Sequence, residues 1–192
     1  MKTLLVFLTL SLPLFSHSQT LPYSELPPYP DDYTAGRVAA RAVDGLGFRF
    51  YWATEGLRES DLSHKPGPDA RTSLETVAHI YEMSFIIVNA SLKKINVEGQ
   101  DIKLPFAEMR KRTLENLKTA SDILRKSSDN EVKEYKAMFS RGGKVVERPF
   151  WNLLSGPIED CVWHTGQVVS FRRASGNPFS EKVNLFAGTV SK

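Results

Sequence analysis

The segment from Thr72 to Leu92 constrains the fold most, because it is apolar on nearly every side. Thr72 followed by Glu75 forms the capping-box pattern of a helix start, in which each side chain satisfies a free backbone amide of the first turn. A helix that is apolar all round is stable in water only when other elements surround it. The sequence therefore predicts that this helix lies inside a helical bundle.

Three other segments carry helical periodicity. One long helix is predicted from Thr34 onwards, and another follows Pro105 and runs to Leu124, both with apolar residues every three or four positions. A last helix is predicted between Pro157, which suits a first helical turn, and Gly176, which suits a left-handed C-terminal cap. The pattern predicts a bundle built from these helices.

The period changes between Glu131 and Phe150. Residues 135–139 alternate in the manner of a strand, Gly142 and Gly143 then indicate a turn, and a second β-prone run follows. A short β-hairpin, or an irregular insertion, is therefore predicted just before the last helix.

The N-terminus differs in kind from the rest. Lys2 is followed by about twelve mostly apolar residues and by Ser16-His17-Ser18, which places small residues where a signal peptidase cuts. The apolar run is shorter than the ~20 residues that span a bilayer, so the protein is expected to be exported, periplasmic or secreted, without stable membrane insertion after cleavage. The predicted boundaries are 1–18 for the signal peptide, 19–33 for a Pro-rich arm, 34–178 for the bundle and 179–192 for a C-terminal tail.

The composition excludes some classes of function. A formal net charge of +3 over 192 residues gives no strongly basic surface, so nucleic acid is not expected as a partner. The single cysteine, Cys161, leaves no internal disulfide, and it is expected to be a small buried hydrophobe and not a reactive thiol.

Three residues are candidates for chemistry. Asp160 and His164 lie four apart on the last predicted helix, so their side chains can converge on one ion, although a simple Asp–His hydrogen bond on a solvated face uses the same spacing. His79 interrupts the apolar helix, and a buried imidazole needs a partner. That partner is another side chain, Glu82 or a metal ion, and spacing alone leaves these alternatives open.

The run from Asp160 to Pro178 resembles the last helix of the DinB/YfiT-like family of metal-dependent four-helix-bundle proteins. The resemblance rests most on His-Thr-Gly-Gln at 164–167 and on Ser-Phe-Arg-Arg-Ala-Ser-Gly-Asn-Pro at 170–178. It extends over roughly residues 34–178 and includes Val77-Ala78-His79, where relatives carry their first metal ligand.

The resemblance implies an all-α, up-and-down four-helix bundle that holds one divalent metal ion. His79 on the second helix and Asp160 and His164 on the fourth would be the ligands, and these three residues are called the trio below. Many relatives have histidine where this chain has Asp160, which leaves open whether the metal is zinc or nickel, or else manganese or iron.

Two functions of different class follow as expectations. The first is a metal-dependent hydrolase or transferase that acts on an unknown small-molecule substrate through metal-bound water or thiolate. The second is a non-catalytic binding or interaction module, compatible with a homodimer, with the trio as a hydrogen-bond network or degenerate metal site. Gln167 is expected to orient a ligand or to pack between helices, and Gly166 to let a neighbouring helix approach closely.

Overall fold

A computed structural model describes residues 20–97 and 104–191, so the predicted signal peptide, 1–18, lies outside the described residues. Within the described ranges, no helix is both long and apolar enough to cross a membrane. The elements in chain order are α1 (Ala35–Thr54), α2 (Glu59–Leu62), α3 (Ser73–Ser91), β1 (Ile95–Val97), α4 (Phe106–Lys126), α5 (Asp129–Glu134), β2 (Lys136–Arg141), β3 (Lys144–Pro149), α6 (Phe150–Leu153), a π-helical turn (Leu154–Ile158), α7 (Glu159–Ala174), β4 (Val183–Asn184) and β5 (Thr189–Val190).

Four long helices surround one core, and their cyclic order is α1, α4, α3, α7. Thr54 at the end of α1 accepts a hydrogen bond from Arg110 near the start of α4, so these neighbours are antiparallel. Arg172 near the end of α7 donates to the carbonyl of Ala53 near the end of α1, so this pair is parallel.

The up-and-down topology is wrong for this chain. Asp61, just before α3, bonds to Ser175 at the end of α7, whereas His79 within α3 meets Asp160 at the start of α7, so α3 and α7 are antiparallel. It follows that α3 and α4 are parallel, and that the consecutive helices α1 and α3 lie diagonally across the core. The reason is that α3 and α4 begin at the same end of the bundle, whereas consecutive helices of an up-and-down bundle begin at opposite ends.

The all-α fold class is also wrong, because a mixed sheet packs against α3. The predicted hairpin is present as antiparallel β2 and β3, and its two turn glycines, Gly142 and Gly143, have φ of 54° and 74°, as a two-residue hairpin turn requires. A third strand, β1, pairs in parallel with β2 and was not predicted. Asn96 ties it there, since its side chain accepts from Asn89 of α3 and donates to the carbonyl of Met138. The C-terminal residues add a second small sheet of β4 and β5.

Helical backbone does not begin at Pro157, contrary to the prediction. It runs from α6 through the π-helical turn into α7, with the Glu159 N–H reaching the carbonyl of Leu154 in the wider π pattern. Proline lacks an N–H, and its ring collides with the carbonyl four residues earlier in an α-helix. A π-helical turn relieves that collision locally, so Pro157 marks an irregularity inside a helix.

The other helix boundaries follow their sequence signals. The capping box of Thr72 and Glu75 is formed, with the Glu75 N–H donating to Thr72 Oγ1 at 3.1 Å. At the end of α7, Gly176 has φ of 76°, and the Asn177 N–H donates to the Arg172 carbonyl at 2.8 Å. This is the Schellman cap that a glycine at this position favours.

The N-terminal arm is non-helical, as predicted, and packs along α1 through Tyr23. The Tyr23 ring lies on Gly47, where an added Cβ would come within 2.5 Å of it, so the glycine permits close packing. The Tyr23 hydroxyl donates to the buried Asp44 at 3.1 Å, and Asp44 also accepts from Ser121 and Arg125 of α4. One carboxylate thus joins the arm, α1 and α4.

A second buried carboxylate, Asp61, organises the far end of the bundle. It accepts hydrogen bonds from the Arg58 backbone and guanidinium, from Ser175 Oγ at 2.6 Å and from Asn177 Nδ2 at 2.6 Å. We call these four residues the Asp61 network. Nearby, the buried Arg172 donates to three carbonyls at the end of α1. The Arg-Arg-Ala-Ser-Gly-Asn sequence therefore has a structural role in joining α7 to the segment before α3.

Candidate metal centre

The trio is assembled from two antiparallel helices. His79 is the seventh residue of α3, and Asp160 and His164 occupy successive turns of α7 directly after the π-helical turn. Residues four apart on an α-helix lie on one face, which explains why Asp160 and His164 lie close together. Because a π turn inserts an extra residue, it sets the rotation of α7 and hence the face on which Asp160 points towards α3.

The trio is close to the geometry of three ligands on one ion. Asp160 Oδ2 lies 3.3 Å from His79 Nε2 and 3.5 Å from His164 Nε2. Two ligands of a tetrahedral ion with bonds near 2.1 Å are separated by about 3.4 Å. One donor atom from each of the three residues lies within 4.8 Å of the others. The two imidazole rings meet edge to face with centroids 4.8 Å apart.

Solvent reaches the trio. The side chains of His79, Asp160 and His164 are 26%, 38% and 16% exposed. A fully buried trio would be a closed polar network in the core, whereas this one is partly covered and open on one side. Water therefore has access to the three donor groups.

Gln167 supports the trio from one turn further along α7. Its Oε1 lies 2.6 Å from His164 Nδ1. An amide oxygen only accepts hydrogen bonds, so this contact favours the tautomer with its proton on Nδ1, in which the Nε2 lone pair faces Asp160 and His79. Ligating histidines commonly have their second nitrogen held in this way. Of the two roles expected for Gln167, orientation of a ligand is the one that the contact supports.

Replacing Gln167 by alanine is expected to weaken binding of a divalent metal about tenfold to a hundredfold, because His164 loses the acceptor that fixes its tautomer and ring orientation. Metal titration against a chromophoric chelator measures the change. In the metal-free protein, ¹⁵N NMR of the imidazole should show a shift from the Nδ1–H tautomer towards a mixture. Unchanged affinity and an unchanged tautomer in Gln167→Ala would contradict this role.

Other residues singled out in the sequence lie elsewhere. Glu82 is exposed, so Asp160, and not Glu82, is the partner of His79. His64 packs its ring 6.0 Å from that of Phe171 and is not part of the trio. Gly166 is exposed, and no other part of the described chain lies within 4 Å of the place that a Cβ would occupy, so the expected close approach of a neighbouring helix is wrong.

Cys161 has the structural role predicted for it. The residue is fully buried, and burial, followed by the nearby charge of Asp160, raises the pKa of its thiol far above the ordinary value. Since the thiolate is the reactive form of cysteine, this side chain is an inert part of the core beneath the trio.

Sequence reasoning missed Asp61 and Arg58, whose spacing of three is common on protein surfaces. The signal that could have found them is the polar Ser175-Gly176-Asn177 segment, which supplies two of the four members of the Asp61 network. Nothing local in the sequence connects residues 58–61 with residues 175–177, which is why only the fold reveals the connection.

Comparison with family models, with curated proteins and with solved structures found no match to this chain. The resemblance to the DinB/YfiT-like family therefore stays a prediction based on the residues at 77–79 and 160–178. The group formed by His79, Asp160 and His164 could hold a metal ion on its geometry alone.

Proposed function

We propose that this protein binds one divalent metal ion through the trio and acts as a metal-dependent hydrolase or transferase on a small molecule. The observation that carries the proposal is the convergence of His79, Asp160 and His164 from two helices, with donor atoms within 4.8 Å of one another. Distant parts of the chain, 81 residues apart, supply the two sides of this site.

The donor set suits a catalytic ion. Two neutral imidazole nitrogens and one carboxylate form a three-ligand face, and three protein ligands with an open position are typical of catalytic zinc. The same set also binds nickel, manganese or ferrous iron. Gln167, held on His164 Nδ1, provides the outer hydrogen bond that a ligating histidine needs.

Each residue has a separate role in this proposal. A divalent ion held by the trio would supply Lewis acidity, which activates water near neutral pH or polarises a substrate oxygen. Asp160 provides the negative charge that offsets the ion, and His79 and His164 provide neutral donors. In this proposal the substrate reaches the ion from the exposed side of the trio.

The competing function is a non-catalytic binding module. The contact of 3.3 Å between His79 Nε2 and Asp160 Oδ2 already lies within hydrogen-bond distance, so the trio also works as a polar connection between α3 and α7. In that case the trio contributes to stability without a metal ion. Metal-dependent stabilisation separates a metal site from a metal-free polar connection.

Added zinc, nickel or manganese is expected to raise the thermal stability of the protein, because a ligand that binds only the folded state stabilises it. At about one hundred times the dissociation constant the gain is about 2.7 kcal/mol. His79→Ala and His164→Ala should lose this gain, and His64→Ala, which removes a histidine outside the trio, should keep it. Calorimetry with each metal measures the effect. Equal stabilisation of all four proteins would mean that the ion binds elsewhere.

A further inference from the structure

Two concavities follow one another along the outer face of α1. The larger, which we call the α1 groove, has a volume of about 740 Å³. The smaller, which we call the arm pocket, has a volume of about 310 Å³. Ala42 lines both, and on α7 the lining continues from Glu159 in the groove to Val162 in the pocket. The two concavities are therefore adjoining sections of one surface channel, and ligand sites in proteins have volumes in this range.

The α1 groove is apolar over its floor. Four of its lining residues are buried hydrophobic side chains, namely Ala39, Val132, Phe150 and Ile158. Val38 and Trp151 also line the groove and are 54% and 78% exposed. Single exposed hydrophobic residues are ordinary, but a contiguous exposed apolar group marks a binding surface. An alkyl chain in this groove would cover these side chains from water, which is favourable.

The arm pocket supplies positive charge. Arg41 and Arg49 line it, together with no carboxylate of the described residues. Arg41 Nη1 donates to the carbonyl of Pro27 at 2.8 Å, and Arg49 Nη1 donates to the carbonyl of Gly45 at 2.9 Å. Within residues 20–97 and 104–191, neither guanidinium has an ion pair with a carboxylate. Because a guanidinium has five N–H donors, both side chains keep donors for an anionic ligand.

Charge sets the orientation of a ligand in the channel. The charged groups of the α1 groove are Asp129, Lys133 and Glu159, which are exposed and together carry −1, whereas the two arginines of the arm pocket carry +2. An anionic head group is thus attracted to the pocket and not to the groove. Val38 in the groove and Arg49 in the pocket are eleven positions apart on α1, which corresponds to about 16 Å along the helix. A ligand that reaches both sections must therefore be elongated.

We propose that the channel binds a free long-chain carboxylate, with its head group on Arg41 and Arg49 and its alkyl chain in the α1 groove. Arginine suits this head group because two of its N–H groups donate to the two carboxylate oxygens at once. The centroid of the Tyr29 ring lies 4.4 Å from Arg41 Cζ, and this cation–π contact holds Arg41 at the pocket. The trio lies between α3 and α7, outside the channel, so this binding site does not depend on the metal proposal.

Calorimetric titration of the purified protein with dodecanoate, below its critical micelle concentration, tests the site. Wild type is expected to bind about one equivalent with a dissociation constant on the order of micromolar. Arg49→Gln should weaken binding at least about tenfold, because it removes one of the two charges at the head group. Arg37→Gln is the matched control on the same helix and should leave binding unchanged, since Arg37 pairs with Asp32 and lines neither section of the channel. Circular dichroism checks that both variants are folded.

A second pair of variants tests the position of the alkyl chain. Val38→Asp places a charge in the α1 groove and should weaken binding of dodecanoate at least about tenfold. Val145→Asp changes a similarly exposed valine on β3, outside the channel, and should have no effect. Binding should also shift the fluorescence of Trp151 to shorter wavelength, because the chain displaces water from its ring, and Trp151→Phe should remove this shift.

Three results would overturn the proposal. One is wild type that does not bind dodecanoate at any concentration below the micelle limit. Another is dodecylammonium that binds as tightly as dodecanoate, together with an Arg49→Gln variant of unchanged affinity, which would mean that the arginines do not select the head group. The last is acetate that binds as tightly as dodecanoate, which would reduce the site to a small-anion pocket without a chain in the groove.

Discussion

Replacing Asp61 by alanine is expected to lower the free energy of unfolding by about 3 kcal/mol. The Asp61 carboxylate is fully buried and receives hydrogen bonds from Arg58, Ser175 and Asn177. Its removal leaves these donors without their acceptor and releases the end of α7 from the segment before α3. Chemical denaturation of both proteins measures the difference.

The contribution of Asp61 should also depend on pH. Hydrogen bonds from the Arg58 side chain, followed by those from Ser175 and the Arg58 backbone, hold the pKa of the Asp61 carboxyl well below its usual range, although burial acts in the opposite direction. A lowered folded-state pKa means that the stabilisation is complete above the unfolded pKa of about 4 and is lost as the pH falls below it. The difference in the free energy of unfolding between wild type and Asp61→Asn should therefore be constant from neutral pH to about pH 5 and should decrease below about pH 4.

Asp69→Ala is the matched control, since it removes an exposed aspartate from the same connection between α1 and α3. Its effect should stay within about 0.5 kcal/mol, as for most surface substitutions. Two results would show that the Asp61 network does not hold α7 in place. One is a loss of unfolding free energy in Asp69→Ala as large as that in Asp61→Ala. The other is a difference in unfolding free energy between wild type and Asp61→Asn that does not change in acid.

Asp44→Ala should have an effect of similar size, about 3 kcal/mol, in the middle of α1. Asp44 is fully buried and accepts from Arg125, Ser121 and Tyr23, which come from α4 and from the arm. Loss of the carboxylate leaves a guanidinium and two hydroxyl groups without their shared acceptor. Asp122→Ala is the control, because it removes a half-buried aspartate of α4 whose partner is a surface lysine, and such pairs contribute little.

A double-mutant cycle isolates the part of the stability loss in Asp44→Ala that comes from the hydrogen bond with Tyr23 of the arm. Burial, followed by the charge of Asp44, raises the pKa of the Tyr23 hydroxyl, so it stays a proton donor over the working range of pH. Tyr23→Phe and Asp44→Ala should therefore be non-additive by about 1 kcal/mol. Additive losses in the denaturation curves would mean that the arm packs on α1 without using this hydrogen bond.

The elements that sequence predicted are those with local signals. Thr72 and Glu75, three residues apart, cap the start of α3 between themselves. Gly142 and Gly143 form the turn between two strands that are adjacent in the sequence. Gly176 forms the C-terminal cap of α7, whose hydrogen bonds span at most five residues. Each of these patterns is complete within a few positions, so periodicity and turn chemistry identify it.

The features that sequence missed depend on distant partners. Strand β1 has three residues, and its identity depends on pairing with Met138 more than forty positions away. The order of the helices depends on contacts between residues far apart in the sequence, such as that of Arg110 with Thr54, and no local pattern encodes these contacts. Pro157 does mark irregular backbone, but it was interpreted as the start of a helix. The reason is that α6, the helical segment before the π-helical turn, has only four residues and is too short to show a helical period.

The candidate site lies between these two cases. Spacing on one helix brought Asp160 and His164 together, but the addition of His79 depended on a resemblance, and the fold shows that α3 places it 3.3 Å from Asp160. The contact of Gln167 with His164 follows from their positions on α7, since residues three apart on a helix are neighbours.

The most direct test is the metal content of the purified protein, measured by elemental mass spectrometry for wild type, His79→Ala, His164→Ala and the His64→Ala control. The trio predicts about one equivalent of a divalent metal in wild type and in His64→Ala, since three ligands on one face hold one ion. His79→Ala and His164→Ala should retain almost none. Wild type that contains no metal after incubation with zinc, nickel and manganese, or trio variants that keep their metal, would contradict the proposed site.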